Sequence, residues 1–209
     1  MPPLTAGDRG RRAAELLRGG AQRGFSLDPG LAGDELTAVQ ASYGFTFCPE
    51  HAALLRLTLP VGAGWPDWRH GGAALQAQLS APVDGVLFDV AHNGFWWPGW
   101  GPHPGADAAH VARAALERAP RLVPLYGHRY LPAAPAPDPA PVLSVVQTDV
   151  VGYGRDLLDY LNREFGLGDP VGSDGRPQAG GEPVPAAGKV AAVPFWSELD
   201  RPDAWRGRN

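Results

Sequence analysis

Apolar residues recur along the first third of the chain with the three- and four-residue spacing of amphipathic helices. This spacing predicts a short helix over residues 8–18 and a second helix over Asp34–Tyr43. A third helix is predicted over Pro49–Leu59, because Pro49 suits a first helical turn and Pro60 stops the helix. The N-terminal part of the protein is therefore expected to be helical.

The pattern changes after residue 80, where short runs of β-branched and aromatic residues replace the helical spacing. After two helical turns over Ala73–Leu79, the run Val83–Val90 predicts a strand, and Phe95–Trp97 predicts a second short strand. Pro124 marks a later strand as an edge strand or the site of a bulge. The later predicted strands cover residues 121–126, 128–131, 142–146 and 149–153.

Two further helices accompany these strands. One is predicted over Ala106–Ala119, and the other over Arg155–Phe165, where an apolar stripe runs along one face and Gly166 ends the helix. The strand connections are short and the elements do not repeat as βαβ units. The expected class is therefore α+β, with a mainly antiparallel central sheet flanked by helices.

Glycine and proline are abundant and concentrated in two places. The chain has 28 Gly and 23 Pro in 209 residues, and five of the prolines lie within 131–141, which predicts a stiff extended loop. Residues 167–190 are rich in both types and predict a flexible, Gly/Pro-rich linker. The expected organisation is an N-terminal extension with a short helix over 1–30, a domain over 31–166, this linker, and a C-terminal segment over 191–209 that docks on the domain.

Charge, cysteine content and hydropathy narrow the class of protein. The formal net charge of −4 and the sequence pI of about 5.8 argue against nucleic-acid binding. The single Cys48 excludes an internal disulfide framework, and its apolar surroundings favour a small buried hydrophobe over a nucleophile. No run of ~18 consecutive apolar residues occurs, so no membrane-spanning helix is expected and a cytoplasmic location is predicted.

Residues with catalytic potential are present, but none stands in an established motif. Ser144 lies in a predicted strand rather than on a G-x-S-x-G turn, and no phosphate-binding glycine loop occurs. A metal-dependent hydrolase is one alternative, because four residues are of the types that bind zinc or manganese, although their spacing matches no metal signature. These four are Asp89, His92, His128 and Asp149. The expectation is a protein that is not an enzyme and needs neither a metal nor a cofactor.

Tryptophan is the most informative residue type, because five of the seven tryptophans lie between residues 65 and 100. Trp, Tyr and Arg dominate protein-binding surfaces, but tryptophan also fills cores, and the sequence leaves both interpretations open. Trp96 and Trp97 are adjacent in a predicted strand, so at least one of them should face outward. The residues predicted to contact a protein or peptide partner are Trp65, Trp68, Asp89, His92, Trp97, Trp100, His128, Arg129 and Asp149.

Several blocks of the sequence resemble bacterial members of the SUKH superfamily, which are relatives of the fungal Smi/Knr cell-wall-assembly regulators. The central block, LFDVAHNGFWWPGWG at 87–101, carries most of the resemblance. Gly152 stands where a second aromatic residue is common in the family. The other similar blocks are FCPE at 47–50, LVPLYGHRYLP at 122–132, VLSVVQTDVVGYG at 142–154 and PFWSEL at 194–199.

The resemblance implies an α+β fold with a largely antiparallel sheet and a protein that is not an enzyme. Many bacterial members are implied to be immunity proteins that neutralise a cognate toxin, and others look like peptide- or protein-binding scaffolds. The expected function is therefore a non-enzymatic protein-binding module, most concretely a toxin-immunity protein. Its acidic balance suits a basic toxin domain as the partner. The alternative is a regulatory scaffold that binds an endogenous peptide or protein.

Overall fold

The protein combines seven α-helices with two antiparallel sheets in the part of the chain that its computed structural model describes, residues 3–20, 24–167 and 190–200. The helices are α1 (Ala6–Gly20), α2 (Gly33–Tyr43), α3 (Pro49–Leu57), α4 (Ala73–His92), α5 (Ala108–Leu116), α6 (Leu157–Phe165) and α7 (Trp196–Leu199). The strands are β1 (Ser26–Pro29), β2 (Thr58–Val61), β3 (Leu122–Tyr126), β4 (Arg129–Pro132), β5 (Val142–Val146) and β6 (Asp149–Gly154).

All strand pairs in the two sheets are antiparallel. The strands β3, β4, β5 and β6 lie side by side in chain order, and β1 pairs with β2 in a separate small sheet. β3 is an edge strand, and its register shifts between Pro124 and Tyr126, as expected for a proline that cannot donate a ladder hydrogen bond. The predicted α+β class with a mainly antiparallel sheet is confirmed.

Helices cover both faces of the four-stranded sheet. Neighbouring residues of β5 point to opposite faces, so that Val142 packs in one apolar cluster with Leu17 of α1. Leu143 packs in another cluster with Val86 of α4 and Trp196 of α7. α6 adds to the first cluster and α5 to the second. Burial of apolar surface on both sides of one sheet is what holds these layers together.

Helix α1, predicted as part of an N-terminal extension, belongs to this core. Ala13, Ala14 and Leu17 are fully buried. The backbones of α1 and α3 approach closely at Gly10, where a Cβ atom would lie 2.6 Å from the carbonyl oxygen of Glu50. The folded unit therefore begins before residue 31, where the sequence placed the start of the domain.

The largest difference from the sequence prediction is α4. The run Val83–Val90, predicted as a strand, continues the helix that begins at Ala73, and Pro82 lies inside it. Val86 and Val90 are buried against the sheet, which is a helical spacing. The density of β-branched and aromatic residues favoured a strand, but packing outweighs such local preferences.

Two shorter predictions are also wrong. Phe95–Trp97 is irregular and leads into a short 3₁₀ helix at Pro98–Trp100, so the strand argument for one outward tryptophan does not apply. Helix α3 ends at Leu57, and Pro60 lies in β2 opposite Leu27. The antiparallel partner supplied by β1 draws the chain out of the helix at this point.

Across the described ranges, no helix has both the length and the apolar character of a membrane span.

The described part of the C-terminal segment, residues 190–200, packs on the sheet. Val193, Trp196 and Leu199 are 1%, 1% and 3% exposed and belong to the cluster beneath α4 and α5. The indole Nε1 of Trp196 donates to the carbonyl oxygen of Pro120 at 2.7 Å. The predicted linker over 167–190 lies outside the described residues apart from its first and last positions.

Candidate protein-binding site

Two of the tryptophans predicted to contact a partner belong to the core. Trp65 and Trp68 are 8% and 2% exposed. Trp65 stacks on Phe165 with ring centroids 5.6 Å apart, and Trp68 meets Phe47 edge to face at 5.0 Å. Their burial leaves no face for a partner, so the packing interpretation holds for these two residues.

His51 is buried in the same group of rings as Trp68. Its ring lies 4.9 Å from that of Phe47 and 6.2 Å from that of Trp68, and its Nδ1 has no hydrogen-bond partner within the described residues. Burial lowers the pKa of His51 to about 3. The imidazole is therefore neutral in the folded protein at any physiological pH.

We expect the free energy of unfolding to fall as the pH drops below about 6.5. The unfolded chain protonates His51 near its ordinary pKa of 6.5, whereas the folded protein does so only near 3. Because the unfolded state binds more protons in this window, stability declines by about 1.4 kcal/mol per pH unit, or about 2 kcal/mol by pH 5. Urea unfolding at several pH values measures this slope. In the His51→Phe variant this slope should be smaller by the contribution of one proton, about 1.4 kcal/mol per pH unit. Equal slopes in the two proteins would contradict the prediction.

Asp89, also predicted to contact a partner, holds two parts of the fold together. Its side chain is buried, and Oδ2 accepts hydrogen bonds from the backbone N–H of Thr148 at 2.9 Å and from the Thr148 hydroxyl at 2.6 Å. One helical turn earlier, a Cβ atom at Gly85 would lie 2.8 Å from the Cα atom of Gln147. Asp89 thus fastens α4 to the turn between β5 and β6, and its role is structural.

Replacing Asp89 with alanine should lower the free energy of unfolding by about 1–3 kcal/mol, because it leaves the N–H and hydroxyl of Thr148 unpaired in a partly buried position. Asp84→Ala is the matched control, since Asp84 is an exposed carboxylate on the same helix. The control should change stability by about 0.5 kcal/mol at most. Equal losses in urea unfolding would show that the Asp89 contacts do not matter.

Arg129 is likewise used within the fold. Its guanidinium lies 4.0 Å from the centre of the Tyr153 ring, and its Nη1 donates to the Ser144 hydroxyl at 3.1 Å. Its Nε is 3.4 Å from a carboxylate oxygen of Glu164 on α6. Arg129 is 8% exposed, so these internal contacts account for most of its surface.

The remaining polar candidates are exposed. His92, His128 and Asp149 are all exposed, and the ring of His92 lies 4.6 Å from that of Phe88 on the surface of α4. Partial desolvation of its ring, together with the charge of Arg129, lowers the pKa of His128. Over the described ranges, no three His, Cys, Asp or Glu side chains are grouped as metal ligands would be. The four residues proposed for a metal-dependent hydrolase therefore do not form its metal site.

Cys48 matches the sequence interpretation as a small buried residue. It is fully buried at the start of α3, and burial raises the pKa of its thiol to about 12. A thiol with that pKa is protonated at physiological pH and is a poor nucleophile.

One group of aromatic side chains does reach the surface, and it forms the candidate binding site. It contains Trp97 and Trp100, both predicted, together with Trp96, His103 and Phe195; we call these five residues the tryptophan cluster. The three tryptophans and Phe195 are half-buried, and His103 is exposed. The cluster is thus a mixed surface of apolar rings and polar ring edges.

The rings of the tryptophan cluster support one another. Trp100 stacks on Phe195 with centroids 5.7 Å apart and planes 18° apart, and Trp97 meets Phe195 edge to face at 6.0 Å. Trp96 lies between Trp100 at 5.2 Å and His103 at 4.8 Å. Such aromatic pairs stabilise the fold beyond the effect of apolar burial, and they fix the orientation of the rings. The rings are therefore held in place before any partner arrives.

The local sequence explains why these rings stand on a loop. Residues 93–107 contain four glycines and three prolines, which oppose regular helix and strand structure. Gly99 also makes room for a ring, because a Cβ atom there would lie 2.5 Å from Nε1 of Trp97. This glycine and proline content predicts a loop, and it is a better guide to residues 95–97 than the aromatic residues that favoured a strand. Nothing in the local sequence indicates that Phe195 joins the same cluster.

Two indole N–H groups in the cluster have no acceptor among the described residues. Trp96 Nε1 donates to the carbonyl oxygen of Gly101 at 2.8 Å. The Nε1 atoms of Trp97 and Trp100 donate to no residue in the described part of the chain. A half-exposed ring with an unused donor offers both apolar area and a hydrogen bond, which is the combination favoured at binding hot spots.

The fold and the site define a class, an α+β protein that presents a half-exposed aromatic surface. No family model, curated protein or solved structure matches this chain. The function must therefore be argued from the residues and their geometry.

Proposed function

We propose that the protein is a non-enzymatic protein-binding module whose binding surface is the tryptophan cluster, and most concretely an immunity protein that neutralises a cognate bacterial toxin. The observation that carries the proposal is the pair of half-exposed indoles, Trp97 and Trp100, whose N–H groups donate to no residue of the described ranges. Rigid aromatic side chains lose little conformational entropy on binding and supply most of the affinity in many interfaces.

The resemblance to SUKH-type immunity proteins supports the immunity reading over other kinds of binding. The block at 87–101 contributes Trp96, Trp97 and Trp100, and the block at 194–199 contributes Phe195. These two blocks are far apart in the chain but meet in the cluster through the Trp100–Phe195 stack. A surface assembled from two family-like blocks is a reasonable place for the shared function.

The test is co-expression with toxins encoded beside this protein's gene. We expect one of them to be neutralised, with restored growth and a complex that survives size-exclusion chromatography. Trp97→Ala should weaken the complex, whereas the matched variant Phe88→Ala, which removes an aromatic ring 48% exposed on α4, should not. Failure to rescue growth and to form a complex with any neighbouring toxin would contradict the immunity proposal.

The alternative is a regulatory scaffold that binds an endogenous peptide or protein through the same cluster. This alternative predicts that no toxin gene lies beside this protein's gene and that the protein captures a partner from its own cells. The Trp97→Ala variant should lose that capture. The two hypotheses, an immunity protein and a regulatory scaffold, use the same surface and differ in the partner, so the co-expression experiment separates them.

A further inference from the structure

We infer that the tryptophan cluster recognises a cationic partner, an arginine-rich protein segment whose guanidinium groups lie on the exposed faces of Trp97 and Trp100. This inference rests on the proposed binding function and names the chemistry of the partner. It follows from the distribution of charge around the cluster rather than from the net charge of the chain.

The segments that build the sheet face carrying the cluster are strongly acidic. Residues 70–116, 142–154 and 190–200 hold six acidic residues and a single basic one, Arg113 of α5. These segments supply α4, the tryptophan loop, α5, β5, β6 and α7, which pack in one apolar cluster. On the opposite face, α1 and residues 155–165 together hold five acidic residues and six arginines. The two sides of the molecule therefore differ in charge.

Most of these carboxylates are exposed to solvent and can attract a partner. Asp89 is used internally, but the other five are exposed. They are Asp84, Asp107, Asp149, Glu198 and Asp200. Because these segments set only Arg113 against five exposed carboxylates, they give this face a negative potential that attracts cations and raises association rates.

One carboxylate is bonded to the backbone of a residue whose ring belongs to the stack. Glu198 Oε1 accepts the backbone N–H of Phe195 at 3.2 Å, and the Phe195 ring stacks on Trp100. A guanidinium on the rings of the cluster would therefore have a carboxylate anchored at the residue that carries one of those rings. That combination strengthens both the cation–π contact and the ion pair.

Other partner chemistries use less of this surface. An acidic peptide or a nucleic acid would be repelled by the carboxylates. A neutral proline-rich segment would contact the rings and the indole N–H groups but would gain nothing from the carboxylates. Arginine is favoured over lysine, because its planar group stacks on an indole while keeping its hydrogen-bond donors at the edge.

The test is a titration of the full-length protein with three fluorescent nonapeptides of alternating serine and arginine, lysine or glutamate. We expect the arginine peptide to bind most tightly, the lysine peptide less tightly and the glutamate peptide not at all. Trp97→Ala should weaken arginine-peptide binding about fivefold, and so should Glu198→Gln. Leu57→Ser is the matched control, because Leu57 is a 40% exposed apolar residue on α3, and its affinity should equal that of the wild type.

Attraction by overall charge alone would weaken with salt but would not depend on the rings. Equal affinity of wild type and Trp97→Ala for the arginine peptide therefore overturns the inference, as does equal binding of the arginine and glutamate peptides. Residues 201–209, outside the described ranges, carry arginines at 201, 206 and 208. If replacing these three with glutamine tightened peptide binding more than about tenfold, the face would belong to the chain's own end, and the inference would also fail.

The outcomes separate this inference from the proposed function. Toxin neutralisation without arginine-peptide binding supports the function and overturns the cationic partner. Arginine-peptide binding through Trp97 without any toxin neutralisation supports the cationic partner and contradicts the immunity role.

Discussion

Replacing Glu50 with alanine is expected to lower the free energy of unfolding by about 3–5 kcal/mol, because it removes the buried charge partner of a buried arginine. Glu50 is 1% exposed, and its Oε2 accepts a hydrogen bond from Nε of Arg9 at 2.8 Å. Its Oε1 accepts the backbone N–H of Ala140 at 3.0 Å. Arg9 also pairs with Asp138 and donates to the carbonyl oxygen of Leu4. One carboxylate therefore joins α1, α3 and the proline-rich loop.

The charges in this network have been removed from water, which is why breaking it should be so costly. Burial raises the pKa of Glu50, and the hydrogen bond and charge of Arg9 oppose that rise. Without Glu50, the Arg9 guanidinium, at 6% exposure, would keep only the exposed Asp138 as its ionic partner among the described residues. The N–H of Ala140 would also lose its acceptor.

Denaturant unfolding of three variants tests this prediction. Glu50→Gln keeps the shape of the side chain and removes its charge, so it should lower the free energy of unfolding, but by less than Glu50→Ala does. Glu15→Ala is the control, because it breaks the exposed pair with Arg12 on the same α1 helix and should lower stability by about 0.5 kcal/mol or less. A Glu50→Ala loss no greater than that of Glu15→Ala would show that the buried pair is not required for stability.

The network also shows where sequence reasoning reaches its limit. Pro124 and Gly166 were interpreted correctly because each acts through its own backbone: the proline lacks an N–H, and the glycine adopts the left-handed conformation, with φ of 61°, at the end of α6. Arg9 and Glu50 are 41 residues apart, and in α1 the arginine looks like one of several solvated charges. No local pattern reveals a partner at that distance.

The same limit applied to α4 and to the candidate site. The residues of Val83–Val90 favour a strand one by one, but α4 gains by packing a helical stripe on the sheet. Trp97 and Trp100 were identified as partner-facing, and they lie in the tryptophan cluster. Residue type alone did not separate them from Trp65 and Trp68, because tryptophan is chemically suited to both a core and an interface. Only the surroundings of each ring decide which role it has.

Replacing Trp196 with alanine makes that distinction measurable, and we expect it to lower the free energy of unfolding by about 3–5 kcal/mol. Trp196 is 1% exposed and packs in the cluster beneath α4 and α5, so its loss leaves a large cavity. The carbonyl oxygen of Pro120 would lose its donor at the same time. Trp196→Phe keeps part of the ring volume and should be less damaging, by about half.

Trp97→Ala is the matched control for Trp196→Ala, because both remove an indole from the same sheet face. Trp97 is half-buried, so its loss should lower stability by only about 1 kcal/mol while abolishing most partner binding. Trp196→Ala should also weaken binding, since α7 positions Phe195 against Trp100, but it does so at a large loss of stability. Urea unfolding and partner binding are measured on both variants, and each variant's loss of stability is compared with its loss of affinity. If the two substitutions reduce stability equally, the division between a structural and a binding tryptophan fails, and with it the reason for placing the partner on Trp97.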